Sequence, residues 1–234
     1  MKKYIVLIII SCLSTLVLFG QAGELDIGFA DNGILEWDAS GAFDRGQAIA
    51  VQPDGKIVVA LNGAFPNSNG SDIGVVRINE DGSHDTSFGN EGVYFYSNPS
   101  GLDAATDVII LEDEKILVSG WISQGGAFSD FVVIQLNTDG TPDASFGTEG
   151  VKSWSIFEDG SADIANCLAV TEEGKILVGG QSRLPLDSYH SNVICRLNPD
   201  GMIDSTFGSN GIYIWNPDNT PKETHKLDFA DDGR

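Results

Sequence analysis

The chain has 234 residues, 41% hydrophobic and 20% charged, and its 13 basic and 34 acidic side chains give a formal charge of -21. That composition belongs to a globular chain, not a disordered one. The charge would repel a phosphate backbone or an anionic lipid surface, which excludes nucleic acid and membrane faces as partners.

The first segment is for export. Lys2 and Lys3 precede an apolar run from Tyr4 to Phe19 that Ser11, Ser14 and Thr15 do not interrupt. This is the layout of a secretory signal. Gly20 and Ala22 supply the small residues of a cleavage site, so residues 1–22 read as a signal peptide and Gly23 as the new N-terminus. The protein is then expected to be secreted or held at the cell surface, with membrane contact confined to export. An uncleaved anchor is one alternative, since the apolar run falls just short of a span. Lipid attachment at Cys12 is another, disfavoured by its early position in "IISC".

From Gly23 onward the chain repeats itself. "NEDGSHDTSFGNEGV" (79–93), "NTDGTPDASFGTEGV" (137–151) and "NPDGMIDSTFGSNGI" (198–212) are one phrase, with a partial copy, "GELDIGFADNGI", at 23–34. Its Phe recurs as Phe29, Phe88, Phe146 and Phe207, and a Gly follows four positions later as Gly33, Gly92, Gly150 and Gly211. A second marker, "PDGKIVVA" and its copies, places Lys56, Lys115, Lys175 and Arg234 at the same period of about 59 residues. A fixed period of this size decides the architecture before any single motif does.

Each unit holds four short runs with strand character. In the second unit they are Val93–Tyr96, Thr106–Leu111, Lys115–Trp121 and Phe131–Asn137, all too short for helices. The second run alternates, with Ile49 and Val51, Val108 and Ile110, Leu168 and Val170, and Leu227 and Phe229 on one face. The third and fourth, such as "KIVVAL" and "FVVIQL", are near-continuous apolar runs that imply burial on both faces. A four-stranded antiparallel sheet covered on both sides and repeated in series is a β-propeller blade. The expected fold is all-β, with repeats at 23–80, 81–138 and 139–199 and a partial fourth at 200–234.

In "VQPDGKI" Pro53 presets the turn, and Gly55 takes the positive φ of a tight hairpin. The long phrase reads as the connector between blades, with Asp204 in an Asx turn and Phe207 as a buried plug. Because closed propellers need at least four blades, the chain is expected to be part of a longer reading frame, with an exposed strand edge near Leu227–Phe229.

The pattern "LNPDGxxDxxFGxxGI" followed by "PDGKIVVA" resembles the Delta-60 repeat of bacterial secreted and cell-surface proteins, and covers the chain after residue 22. The resemblance implies a propeller and export. It implies no catalytic residue and no ligand. One departure is Glu114, which stands where the other units have Gly and puts that hairpin's geometry in question.

Chemistry is sparse. "NxDGxxD" resembles part of a calcium loop, but the preceding ligand position falls on Arg77, Gln135 and Arg196, and no bidentate Glu closes it. Turn chemistry accounts for it better. His84, His190 and His225 are scattered, without zinc-site spacing, and read as solvated loop residues. No cofactor fingerprint is present, so no cofactor is expected.

Units differ most in the connections "NGAFPNSNGSD", "SQGGAFSD" and "SRLPLDSYHSN", which would line one rim. The third, with Arg183, Asp187, Tyr189 and His190, is the candidate ligand-binding set. The leading reading is an exported, non-catalytic scaffold that binds protein or glycan at the cell surface. The alternative is a propeller enzyme acting on polysaccharide, a lyase or hydrolase with its site at the central channel.

Two structural expectations remain. Cys167 and Cys195 fall on the second and fourth strands of one unit, too far apart for a disulfide, and are expected as buried thiols. Trp37, Tyr96, Trp154 and Trp215 each stand four residues after the repeat Gly. Such a column is expected to pack between neighbouring blades; a ring of sugar-stacking aromatics facing the channel is the other reading.

Overall fold

The computed structural model of the protein describes residues 23–38, 44–65, 70–157, 160–183, 190–215 and 226. The chain divides into two compact units, Met1–Leu35 and Glu36–Arg234. In the first, the partial phrase folds as a tight reversal. Phe29 N donates to Asp26 O at 3.0 Å, Gly33 N donates to Phe29 O at 2.7 Å, and Asp31 bridges Ile34. The full phrase at Asp85–Val93 makes the same bonds, Phe88 N to Asp85 O and Gly92 N to Phe88 O, so the fragmentary copy is a true one.

The second unit contains twelve strands among its described residues and no helix. β1 (Asp44–Val51), β2 (Ile57–Gly63), β3 (Asp72–Ile78) and β4 (Val93–Tyr96) form one antiparallel meander. β5 (Asp103–Ile110), β6 (Ile116–Gly125), β7 (Phe128–Leu136) and β8 (Val151–Trp154) form the second. β9 (Ala162–Val170), β10 (Ile176–Arg183), β11 (Ser191–Leu197) and β12 (Ile212–Trp215) form the third. The second and third touch edge to edge through a single parallel bridge, Ser129 to Ala162. None of these sheets closes on itself among the described residues.

The connector assignment needs correction. The strand after the phrase was expected to open a new blade, yet β4 pairs with β3 (Ile73 with Tyr96, Val76 with Val93), and β8 and β12 pair with β7 and β11 in the same way. The phrase therefore joins the third and fourth strands of one sheet. Its physical cause is the cluster of left-handed residues in "FGxxG": Gly89, Glu91 and Gly92 all have positive φ (57°, 53° and 93°), which turns the chain back along the strand it has just left. The link between sheets is instead the short stretch after the aromatic strand.

The phrases nevertheless bind neighbouring sheets in space. Gly89 N donates to Asp139 O at 2.7 Å, and Gly147 N donates to Asp200 O at 2.8 Å. Phe88 and Phe146 are fully buried, each against the next phrase's glycine. A Cβ on Gly140 would lie 2.8 Å from the Phe88 ring, and one on Gly201 would lie 3.0 Å from Phe146. Phe29 and Phe207 are half-buried.

Two cores result. Val58, Ala60, Ile73 and Val75 of the first sheet meet Val108, Ile116, Val118, Val132 and Ile134 of the second. On its other face the second sheet offers Leu117, Phe131, Val133 and Trp154 to Leu168, Ile176, Val178, Val193 and Cys195 of the third. β6 and β7 thus bury alternate residues into different cores, which is why they are apolar throughout. Each buried aliphatic side chain contributes about 1.5–3 kcal/mol. In the first sheet Ile49 is 69% exposed, unlike the buried Val108 and Leu168 at the matching positions, and Val51 is 63% exposed where Ile110 and Val170 are half-buried. Leu227, Phe229 and the expected edge there lie outside the described residues.

Cys167 on β9 and Cys195 on β11 flank β10, both buried and neither in a disulfide. Burial pushes the Cys195 thiol up to about 12.

Glu114 keeps the hairpin. Glu114 N donates to Leu111 O at 2.9 Å, as Gly55 N does to Gln52 O, and Glu114 adopts a left-handed φ of 63° to do so. A side chain there costs about 1–2 kcal/mol relative to glycine. Glu114→Gly is therefore expected to raise the unfolding free energy by about 1 kcal/mol in a denaturant titration, with the slope unchanged.

Candidate functional site

The three variable hairpins leave the same end of their sheets, between β2 and β3, β6 and β7, and β10 and β11. Arg183 closes β10 opposite Ala162, His190 immediately precedes β11, and Ser182 pairs with Ser191 between them. The two candidates, both half-buried, therefore flank the mouth of one hairpin. Asp187 and Tyr189 lie outside the described residues.

A charged cluster that the sequence reading missed recurs in every sheet. Asp85 Oδ2 receives Arg77 Nε at 2.8 Å and lies 3.3 Å from Lys56 Nζ. Asp143 receives Gln135 Nε2 at 3.0 Å and lies 2.9 Å from Lys115. Asp204 receives Arg196 Nε at 2.9 Å and lies 3.0 Å from Lys175. The second oxygen of each takes the backbone N–H and hydroxyl of Ser87, Ser145 or Thr206. Burial pushes Asp85 upward, but Ser87, then Arg77 and Lys56, outweigh it and hold the carboxyl well below the usual range. The Ser145 hydroxyl, opposed by burial and aided by Lys115, holds Asp143 at about 2. Thr206 and then Lys175 hold Asp204 low. With every lone pair engaged, these carboxylates organise turns and have no capacity left for substrate.

A second column of aspartates, Asp44, Asp103 and Asp163, opens the first strand of each sheet. Asp103 accepts Asn98 N at 2.6 Å and Ser123 N at 3.2 Å. Asp163 accepts Ile156 N at 2.8 Å, the Ser161 hydroxyl at 2.7 Å, and the Ser182 hydroxyl. These bonds clasp the real link between sheets, because Asn98 and Ile156 each stand two residues after the aromatic strand's end. Burial pushes Asp103 up to about 6 despite those donors, with Asp72's charge adding to the rise.

The aromatic column divides. Trp154 is 7% exposed, edge-on to Phe131 at 5.5 Å, inside the core between the second and third sheets. Tyr96 is half-buried at the rim of the first core. Trp37 is half-buried with its ring 5.0 Å from His84, whose Nε2 also lies 3.2 Å from Gly92 O. His84 is thus part of the phrase's packing and not a solvated loop residue. Trp215 is 47% exposed. Of the four rings, only that of Trp154 is buried.

Tyr96 has a further surface. With Tyr94 on the same strand face it lines a cleft of about 450 Å³, whose other wall is Thr148, Glu149, Lys152 and Ser153 from the second sheet's outer turn and strand. Burial raises the pKa of both phenols, so both remain neutral hydrogen-bond donors. Nothing in the repeat pattern flags this cleft, because it forms between two sheets. Its only trace is the variability at Leu35, Tyr94, Lys152 and Tyr213, one residue after each repeat strand begins. No three metal-ligating side chains converge among the described residues.

Residues 52–88, 111–146 and 173–207 match a family described as a domain of unknown function (DUF5122) beta-propeller. With three antiparallel four-stranded sheets in series, the chain is a β-propeller repeat protein. Among solved structures it is similar to virginiamycin B lyase from Staphylococcus aureus, at 16% identity and a TM-score of 0.35, covering 68% of this chain and 40% of that one. It is also similar to a protein of unknown function from Bacteroides caccae, at 13% identity and a TM-score of 0.28, covering 72% and 71%. The chain thus spans less than half the length of the lyase. No curated protein matches.

The two aspartate columns have opposite pH signatures. Asp143 has a lower pKa folded than unfolded, so its stabilisation is complete above about pH 4 and is lost as pH falls towards about 2. Asp103 has a higher pKa folded, so the native state holds an extra proton between about pH 4 and 6 and loses stability as pH rises through that window. Melting curves are expected to peak near about pH 4, with Asp143→Asn flattening the acid limb and Asp103→Asn the upper one. Trp154→Ala, by opening a cavity between two sheets, is expected to cost about 3–5 kcal/mol in denaturant unfolding.

Proposed function

We propose that the protein is an exported, non-catalytic β-propeller of the Delta-60 repeat type that binds a saccharide at the cell surface. The cleft between the first and second sheets carries this reading. Tyr94 and Tyr96 supply aromatic surface and phenol hydroxyls to a pyranose, while Glu149, Lys152, Thr148 and Ser153 supply donors and acceptors for its hydroxyls. The formal charge of -21 disfavours polyanionic glycans, so the ligand is a neutral or basic saccharide. The N-terminal basic and apolar run supports export. Arg183 and His190 at the hairpin rim are a secondary contact set, suited to a protein ligand at the same surface.

A glycan array should identify the saccharide, and calorimetry with that sugar should give the site. Lys152→Ala is expected to weaken binding about tenfold, the equivalent of 1.4 kcal/mol, without lowering the melting temperature. Tyr94→Ala is expected to abolish binding. Unchanged affinity in both variants would remove the cleft from the function.

A further inference from the structure

One carboxylate departs from the repeat. Asp44 on β1 and Asp72 on β3 stand on either side of Gly63 in a single cross-strand row, so their side chains project from the same face. The matching rows are Asp103, Ile122 and Asp130 in the second sheet and Asp163, Ser182 and Ser191 in the third. There Asp130, at the position of Asp72, has a donor. Asn98 and Ser123 serve Asp103, Gln124 serves Asp130 at 2.8 Å, and Ile156, Ser161 and Ser182 serve Asp163. Asp72 is 0% exposed, and among the described residues neither of its oxygens has a hydrogen-bond partner.

The surroundings explain the burial. Phe65, 4% exposed, lies over Gly63 and Gly74, where an added Cβ would touch its ring, and it stacks on Phe95 at 5.4 Å. Gly63 places no side chain between the two aspartates. A Cβ there would collide with Asp44 Oδ1, so the Asp44 carboxylate leans over the middle strand towards Asp72. An ionised carboxylate withdrawn from water without donors needs a countercharge or a proton. A buried polar atom with no protein partner is where an ion or water belongs.

We propose that Asp44 and Asp72 hold a hard divalent cation, calcium, between their carboxylates on the face of the Gly63 row. The donors are all oxygen, which selects against zinc and copper. Calcium tolerates irregular geometry and completes its shell with waters and carbonyls, whereas magnesium demands a near-ideal octahedron. The glycine makes room that Ile122 and Ser182 deny in the other two rows. This site is separate from the cleft, and its existence does not depend on saccharide binding.

The test uses the purified protein stripped with EDTA and then titrated with calcium chloride. Calcium at tenfold its Kd is expected to raise Tm by about 3–6 °C, and elemental analysis to find about one calcium per chain. Asp72→Asn and Asp44→Asn should each abolish the shift, and Asp130→Asn should retain it. Should Asp72→Asn fail to fold, Asp44→Asn carries the comparison. Absence of bound calcium and of any shift in the parent protein would overturn the proposal. A shift that survives in either site variant would overturn it too.

Discussion

The carboxylate at the heart of the repeated phrase is the constraint on which each sheet depends. Asp85, Asp143 and Asp204 each gather three pieces of chain that are remote in sequence. They hold the lysine from the first hairpin, a cation or amide from the third strand, and the hydroxyl and N–H of their own turn. One oxygen is spent on the long-range partners and the other on the local turn, so neither task competes with the other. Because nearly all of that carboxylate is out of water, removing a partner would leave a buried charge less well compensated. The arrangement makes the turn and the hairpin mutually dependent, which aligns the outer strand with the sheet it closes.

Sheet-to-sheet order follows from a second device built on the same turn. The phenylalanine after the aspartate is pressed against a glycine of the next phrase, and the adjacent N–H is given to that phrase's backbone. Apolar burial between sheets is non-directional and would tolerate sliding. A hydrogen bond and a steric slot at the periphery fix the offset that the two cores leave free. The buried aspartates that open β5 and β9 do the same at the other end of the stack, tying each link to the sheet it enters.

The period, the hairpins and the apolar strands were legible because each depends on local chemistry. Gly55 and the "FGxxG" turn need left-handed backbone, and β6 and β7 need apolar residues on both faces. The phase of the repeat was not legible, since a tandem pattern looks the same wherever the first unit is cut; only the pairing of Val93–Tyr96 with β3 settles it. Asp85 and Lys56 were both visible as periodic residues, but periodicity does not say that two columns touch. The Asp44, Asp103 and Asp163 column was equally periodic and passed unread among many other acidic side chains. The Tyr94 and Lys152 cleft left no trace beyond the variability one residue into each repeat strand, because its walls come from different repeats. Arg183, Asp187, Tyr189 and His190 stood out as a break in the pattern; Arg183 and His190 flank one hairpin, and Asp187 and Tyr189 lie outside the described residues.

The outer strand of each sheet follows the phrase, while the sequence period, read from phrase to phrase, assigns that strand to the next unit. The length of DNA that would be copied to extend such a protein is thus out of step with the piece that folds as a sheet. Inserting one period does not add a self-contained block. It hands the existing outer strand to a new set of inner strands and supplies a fresh strand to the old set. Every gain or loss of a repeat therefore re-pairs two sheets at once, and the copies must stay interchangeable at β4, β8 and β12 for the change to be tolerated. That requirement explains why these strands share one four-residue length and an aromatic end, while the hairpins at the opposite rim are free to diverge.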